Sequence, residues 1–307
     1  MKKLVNFLLI LAVCAIIAPA ANALPYLEYG NNRLYYNNYE TVYRADSQGN
    51  YYELDYTNPT DIPVLTIGDI FVGILEVQNI KVGSEPSHWS FDPGVDELTG
   101  IFAQQITNIE TATFDYGPFT GIQGNKITLG LAQTDTFTTL NNDTFTTGLN
   151  GQEAFKLYSD DSTAFNTNGT IAEDILTATD GNEWITLGMV ESTDYAYTFI
   201  TPQGTGLDQF IGKSYLGLSV MDYYATGMTF PLLTDPEVGI PVQFYANSEL
   251  EGNDDYIGDG TDIDLVSPWV FESNDPAHLN AIPEPTTMLL FGVGLLGLSA
   301  IGRKKRK

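Results

Sequence analysis

Histidine and cysteine, which carry much of the acid–base and nucleophilic catalysis in enzymes, are scarce in this sequence. The two histidines, His88 and His278, stand 190 positions apart. Neither lies in a G-x-S-x-G, H-E-x-x-H or nucleotide-binding pattern. Two carboxylates at a set separation could still hydrolyse glycosides, but nothing in the sequence selects such a pair. We therefore expect no enzymatic activity, and a secreted glycoside hydrolase is the least favoured alternative.

Oxygen ligands for a metal ion are concentrated near the C-terminal end, in residues 253–264. Five aspartates fall within eleven positions there, with Gly258 and Gly260 suited to tight turns. Calcium takes about six to eight oxygen ligands from carboxylates and carbonyls, which such a loop can supply. The segment does not have the EF-hand pattern, and a solvated acidic turn is the alternative. The candidate Ca²⁺ ligands, the only cofactor site that the sequence suggests, are Asp254, Asp255, Asp259, Asp262 and Asp264.

The last 25 residues combine three features in a fixed order. Pro283-Glu284-Pro285 comes first, and an uncharged, mostly apolar stretch follows over residues 288–302. As a helix this stretch would reach about 23 Å, short of a hydrocarbon core of about 30 Å. Snorkelling basic side chains or a thinned bilayer could make up the difference. Five consecutive basic residues then end the chain, and they should stay cytoplasmic: Arg303, Lys304, Lys305, Arg306 and Lys307.

This arrangement resembles the PEP-CTERM sorting signal. The resemblance implies that Pro283, Glu284 and Pro285 are recognised by an exosortase, a membrane enzyme that cuts at or near the motif. It also implies a Gram-negative bacterium that makes exopolysaccharide. The C-terminal helix would hold the protein in the membrane before processing. A plain tail anchor is the alternative interpretation of the same residues.

The N-terminal residues 1–23 have the pattern of a secretory signal peptide. Lys2 and Lys3 precede a short apolar core, and Ala21 and Ala23 form the A-x-A site that signal peptidase accepts. A permanent N-terminal anchor is the alternative, but the core is short for a membrane span. Cys14, the only cysteine, lies inside the signal. The mature chain should therefore have neither disulfides nor thiolate metal sites.

The segment between the two terminal signals, residues 24–282, is strongly acidic. Seven of the thirteen Lys and Arg residues lie in the terminal signals, which leaves six, and removing Glu284 from the thirty-nine acids leaves thirty-eight. The resulting net charge of about −32 argues against binding to nucleic acid or to anionic membrane surfaces. It suits an extracellular polymer environment, or serves solubility alone.

Short strands dominate the pattern of this segment. A run over 70–80 is rich in β-branched residues, and further apolar runs at 98–106, 126–131, 184–190, 195–200 and 215–221 are separated by Gly, Pro, Asn and Asp clusters. We therefore predict an all-β, antiparallel, β-sandwich-like ectodomain. Only 153–158 and 172–176 suggest short turns of helix. A boundary between two parts could fall near 159–170, although a long loop explains that segment equally well.

Aromatic residues and a small repeat complete the ectodomain. Nine of the eighteen tyrosines fall within 26–56, either as ordinary strand residues or as a sugar-stacking surface. The three tryptophans, Trp89, Trp184 and Trp269, are expected in the core. The sequence Asp-Thr-Phe-Thr-Thr occurs at 135–139 and again at 143–147, which predicts two adjacent strands lying side by side.

The sequence therefore predicts an exported protein of the cell surface or extracellular matrix. After exosortase processing it would associate with extracellular polysaccharide and contribute to biofilm or floc formation, a role that the family resemblance implies. A calcium-assisted carbohydrate-binding module is the main alternative.

Overall fold

The computed structural model describes residues 25–56, 62–116, 119–160, 163–190, 196–202, 210–224, 228–234, 239, 241–252 and 267–283. Strands make up most of these residues, so the all-β prediction is confirmed. The strands of the first half are β1 (Gly30–Ala45), β2 (Tyr51–Glu53), β3 (Ile70–Val82), β4 (Trp89–Ser90), β5 (Glu97–Tyr116), β6 (Phe119–Leu131), β7 (Thr136–Thr138), β8 (Thr144–Thr146) and β9 (Glu153–Asp160). The second half contains helix α1 (Ile171–Thr179) and β10 (Asn182–Met189), β11 (Ala196–Pro202), β12 (Phe210–Tyr223), β13 (Met228–Thr229), β14 (Leu233–Thr234), β15 (Pro241–Val242), β16 (Phe244–Gly252) and β17 (Phe271–Pro283).

The main sheet closes on itself. Antiparallel pairing runs from β1 through β3, β5, β6, β11, β12, β16 and β17 and returns to β1. These eight strands thus form one continuous closed sheet, which differs from the two separately paired sheets expected for a sandwich, while β14 and β15 pair separately. Closure gives each of these eight strands a partner on both sides over part of its length. The β5–β6 hairpin extends further, because β3 pairs with β5 only as far as Gln105 and β11 pairs with β6 only from Asn125 onwards.

At one place around the closed sheet, two different pairs of strands lie between β5 and β12. Between β5 and β12, the sheet is bridged by β6 and β11 towards one end and by β9 and β10 towards the other. This fork is possible because β5 and β12 are long, with 20 and 14 residues. Each of them therefore pairs with two different strands along the same side.

The interior of the closed sheet is filled by two apolar clusters. One contains Leu75, Phe102, Phe155 and Leu218, and the other contains Phe71, Ile106, Ile200 and Phe271. Strand β3 contributes to both through alternate residues, as the pleat of a strand requires. A polar layer, described below, lies between the clusters.

The outer face of β3 is also buried. Ile70, Val72 and Ile74 point away from the interior and pack in a third cluster with α1 and the β7–β8 hairpin. This explains why residues 70–75 are continuously apolar rather than alternating, because both faces of this part of β3 are covered.

Glycine permits a close approach inside the closed sheet. A Cβ atom at Gly73 would lie less than 3.0 Å from the Phe102 ring and from the Tyr39 carbonyl oxygen. The missing side chain therefore lets the Phe102 ring pack against the β3 backbone.

Helix α1 is longer than the short turn expected at 172–176. It begins at a capping box in which the Thr170 side chain accepts from Glu173 N–H, and Glu173 accepts from Thr170 N–H. Its Ile171 and Ile175 side chains are buried against the outer face of the sheet. The expectation of a helical turn at 153–158 is wrong, since these residues lie in β9, where pairing with β5 and β10 overrides the local pattern.

Two other local predictions are confirmed. The repeated sequence forms the adjacent antiparallel strands β7 and β8, with Phe137 opposite Phe145. Trp89, Trp184 and Trp269 are all buried. Of the possible boundary segment 159–170, the first two residues belong to β9, and β9 pairs directly with β10, the next strand along the chain.

Candidate functional site

Strand β17 leads directly from the closed sheet into the predicted sorting motif. Ala281 is fully buried and lies opposite Gly30 of β1. The next two residues, Ile282 and Pro283, pair with the two-residue strand β13. Pro283, the first residue of the motif, is therefore the last residue of a paired strand, with no linker between the fold and the motif.

The chain segment that follows the signal peptide lies at the same end of the sheet. Gly30 begins β1 beside the end of β17. Just before it, the Pro25 carbonyl oxygen accepts hydrogen bonds from Trp184 Nε1 at 2.6 Å and from Tyr224 Oη at 3.2 Å. Both ends of the ectodomain are therefore brought together, although they are some 250 residues apart in sequence.

A cavity of about 30 Å³ lies inside the closed sheet, between the two apolar clusters. We call it the inner cavity. Its polar wall consists of Tyr36, Asn38, Glu40, Gln104, Thr198, Ser214, Ser248 and Ser273. Its apolar wall consists of Phe71, Phe102, Leu129, Phe155, Leu216 and Leu250.

A short hydrogen-bonded chain runs along the polar wall of the inner cavity. Asn38 Nδ2 donates to Ser273 Oγ at 3.1 Å, and Ser273 Oγ donates to Glu40 Oε1 at 3.5 Å. Asn38 Oδ1 has no hydrogen-bond partner among the residues that the structure describes. Tyr36, also on β1, and Ser248 of β16 share a hydrogen bond between their hydroxyls.

Burial dominates the electrostatics of the inner cavity. Removal from water raises the pKa of Glu40 to about 7, and the hydrogen bond from Ser273 offsets this only in part. Glu40 is therefore a carboxyl that holds its proton far more readily than an exposed glutamate does.

A group of aromatic side chains, flanked by lysines, lies on the outer face of β5, β6, β11 and β12. We call it the outer aromatic cluster. Phe114 stacks on Phe199 with centroids 5.2 Å apart, and Tyr197 lies 5.0 Å from Tyr215. Tyr197 and Phe199 meet edge to face at 5.4 Å. Phe114 is buried, whereas Tyr197, Phe199 and Tyr215 are half-buried.

Lysines flank the outer aromatic cluster. Lys126 Nζ lies 4.3 Å from the centroid of the Tyr197 ring, a cation–π arrangement, and 3.8 Å from a carboxylate oxygen of Glu110. Lys213 stands opposite Phe199 on one side and Glu249 on the other. Two of the six ectodomain cations therefore lie beside one group of aromatic rings.

The profile of the PEP-CTERM protein-sorting motif matches residues 281–307. The chain carries a PEP-CTERM sorting motif. It is thus a PEP-CTERM sorting domain-containing protein, secreted and processed by an exosortase, and it goes to the cell surface or the extracellular space. Neither the curated proteins nor the solved structures include a match to the chain.

Several predicted site residues of this PEP-CTERM protein lie outside the described residues. Of the sorting motif, the structure describes Pro283 alone. The remaining motif residues, the signal-cleavage alanines, the basic tail and the aspartates of the calcium hypothesis are outside it: Glu284, Pro285, Ala21, Ala23, 303–307, Asp254, Asp255, Asp259, Asp262 and Asp264. Within the described ranges, no group of three or more His, Cys, Asp or Glu side chains is arranged to hold a metal ion. The same ranges contain no helix that is long and apolar enough to cross a membrane.

The tyrosines of 26–56 have several different environments rather than forming one surface. Tyr43 and Tyr56 are core residues, and Tyr36 lines the inner cavity. Tyr29 and Tyr52 are exposed, but Tyr29 lies just before β1 and Tyr52 lies in β2. The outer aromatic cluster was missed by sequence reasoning because its rings come from β5, β11 and β12, and only the pairing order β5–β6–β11–β12 brings them together.

Proposed function

We propose that the ectodomain of this PEP-CTERM protein is a non-enzymatic surface or matrix protein that associates with extracellular polysaccharide and contributes to biofilm or floc structure. Signal peptidase would release residues 1–23, and the apolar segment 288–302 would hold a membrane intermediate until the exosortase acts. The sorting motif supports delivery to the place where such a polymer is found.

The outer aromatic cluster is the observation that carries the association with polysaccharide. A tyrosine ring offers an apolar face to the C–H groups of a sugar and a hydroxyl to its polar rim. Tyr197 and Tyr215 present half-buried rings on adjacent strands, held in place by Phe199. Lys126 and Lys213 add cationic donors in a domain that is otherwise strongly acidic. A sugar chain lying along these strands would find stacking surfaces and charged hydrogen-bonding groups in one place.

The test is binding of the processed protein to exopolysaccharide isolated from the producing cells. Replacing Tyr197 and Tyr215 together by alanine should weaken binding by at least about tenfold, since each stacking contact contributes on the order of 1 kcal/mol. Tyr29→Ala, which removes an exposed tyrosine outside the cluster, should leave binding unchanged. A double variant that binds as well as the wild type contradicts the proposal.

The calcium-assisted alternative predicts a different result in the same assay. If the aspartates of 253–264 supply a Ca²⁺ site that contacts sugar, a chelator should abolish binding. Binding that survives the chelator but is lost in the Tyr197/Tyr215 variant favours the aromatic cluster alone. Release of reducing sugars during the incubation would instead indicate the glycoside hydrolase.

A further inference from the structure

The inner cavity presents oxygen atoms from two neighbouring strands to one small space. Asn38 and Glu40 are two residues apart on β1, so both side chains point into the closed sheet. Ser273 of β17 lies opposite Asn38 in the register and bonds to both. A carboxylate, an amide carbonyl and a hydroxyl therefore meet on one wall.

These groups include acceptors that the described protein atoms do not satisfy. Asn38 is only 9% exposed, and its Oδ1 has no partner among the described residues, although a buried acceptor without a partner is unfavourable. The Ser273 hydroxyl uses its proton towards Glu40 and one lone pair towards Asn38 Nδ2, which leaves a second lone pair. The wall therefore favours an occupant that is positively charged or donates hydrogen bonds.

No basic side chain of the described residues lines the inner cavity. An ionised carboxylate in such a place needs a counter-charge, because burial without one is strongly unfavourable. The acidic ectodomain, with six cations against thirty-eight acids, adds a negative potential that attracts small cations further.

Size limits the nature of the occupant. A cavity of about 30 Å³ has room for one or two atoms or molecules the size of water. It is too small for a sugar ring or an amino acid. The single carboxylate, that of Glu40, would be neutralised by an ion of charge +1. The other groups on the polar wall offer oxygen atoms, which are the ligands that hard cations prefer.

We propose that the inner cavity is a binding site for one small monovalent cation, ligated by the Glu40 carboxylate, Asn38 Oδ1 and Ser273 Oγ. The ion would join β1 to β17, the strand that leads into the sorting motif. The site is independent of the polysaccharide proposal, since the outer aromatic cluster lies on the opposite face of the sheet.

The experiment is thermal unfolding of the processed protein at pH 8, in chloride salts of Na⁺, K⁺ and choline at equal ionic strength. Choline is too large for the cavity and serves as the cation that cannot bind. The wild type should unfold at a temperature at least about 3 °C higher in NaCl or KCl than in choline chloride, because an ion that binds the native state alone stabilises it. Equal unfolding temperatures in all three salts overturn the proposal.

Two variants assign the effect to the cavity. Glu40→Gln should abolish the difference between the salts. Glu53→Gln, a control at another buried glutamate whose pKa burial raises to about 7, should retain it, because Glu53 bonds to Leu140 N–H and Thr41 Oγ1 away from the inner cavity. Should Glu40→Gln fail to fold, Ser273→Ala keeps the charge, removes one ligand and should reduce the difference. A salt effect that is the same size in the wild type and in the cavity variants contradicts the site.

Discussion

Buried carboxyl groups distinguish this ectodomain at the scale of single residues. Burial raises the pKa of Glu40 and of Glu53 to about 7, and that of Asp174 to about 6. In each case hydrogen bonds offset the effect of burial only in part; Asp174, for example, accepts from Trp269 Nε1 at 2.9 Å. At pH values between the ordinary pKa and the raised pKa, these carboxyls hold protons in the native state that they release in the unfolded chain.

The stability of the protein should therefore fall as the pH rises from about 4.5 to about 7. A carboxyl whose pKa is raised on folding contributes stability that is fully present below its ordinary value of 4.5 and lost as the pH passes through 7. Glu53→Gln keeps an acceptor for Leu140 N–H but cannot ionise. Between pH 5 and pH 8, the decrease in unfolding free energy should be about 2 kcal/mol smaller for this variant than for the wild type. Urea unfolding in choline buffers measures both.

Glu173 provides the matched control for this prediction. Its pKa is lowered because it accepts hydrogen bonds from Thr170 at the start of α1, so its contribution is lost only as the pH falls below its ordinary value of 4.5. Glu173→Gln should therefore retain the full decrease between pH 5 and pH 8. A Glu53→Gln protein with the same decrease would show that Glu53 is ionised in the native state.

Strand β17 connects the closed sheet to the sorting motif at the scale of elements. Most of the strand is held on both sides, by β1 and by β16. Its last two residues pair with β13 alone, whose two residues make a short and weak contact. Local opening at such ends requires little free energy. We therefore expect this end of the fold to open most readily, and such opening would separate the residues that precede Glu284 from β13.

Weakening β13 should accelerate processing by the exosortase. Thr229→Pro removes a backbone N–H opposite Ile282 and disfavours strand pairing. If this lowers the free energy of opening by about 1 kcal/mol, the open population, and with it the processing rate, should rise about fivefold. A pulse-chase experiment that separates precursor from processed protein measures the rate. Thr234→Pro, in the equally short β14, is the control, and equal rates for the two variants contradict the role of β13.

At the scale of the whole molecule, the first and last strands of the ectodomain place both chain ends at the same end of the closed sheet. The strand carrying the sorting motif ends beside the first residues of β1. Residues 284–287 separate β17 from the apolar segment and can span at most about 14 Å. An anchored precursor would therefore have this end of the closed sheet next to the membrane, with the acidic remainder directed away from it.

Replacing Pro283, Glu284 and Pro285 by alanine should stop processing. If the exosortase recognises these three residues, the unprocessed protein should then accumulate in the membrane fraction and the surface signal should fall by most of its value. Pro276→Ala, a proline of β17 outside the motif, controls for damage to the strand. Normal amounts of surface protein in the triple variant would show that delivery does not depend on the motif.

Local sequence patterns predicted much of the secondary structure but little of the pairing. The run at 70–80 became β3, and the repeated Asp-Thr-Phe-Thr-Thr became the β7–β8 hairpin, because both depend on neighbouring residues. The segment 153–158 was wrongly assigned, because its strand conformation depends on β5 and β10, which are distant in sequence. The sheet closure was not predicted for the same reason.

The sequence by itself determined the sorting motif, the all-β class and the acidic charge. A sorting motif is recognised as a linear segment, strand propensity is local, and charge is a sum over residues, so none of these requires knowledge of distant contacts. Only the tertiary structure decided the closed sheet, the inner cavity and the outer aromatic cluster. Asn38 and Ser273 are 235 residues apart, and the rings of Tyr197 and Tyr215 meet through one register among many. Strand pairing selects such neighbours through burial and hydrogen bonding over the whole chain, and that selection cannot be deduced from any one segment.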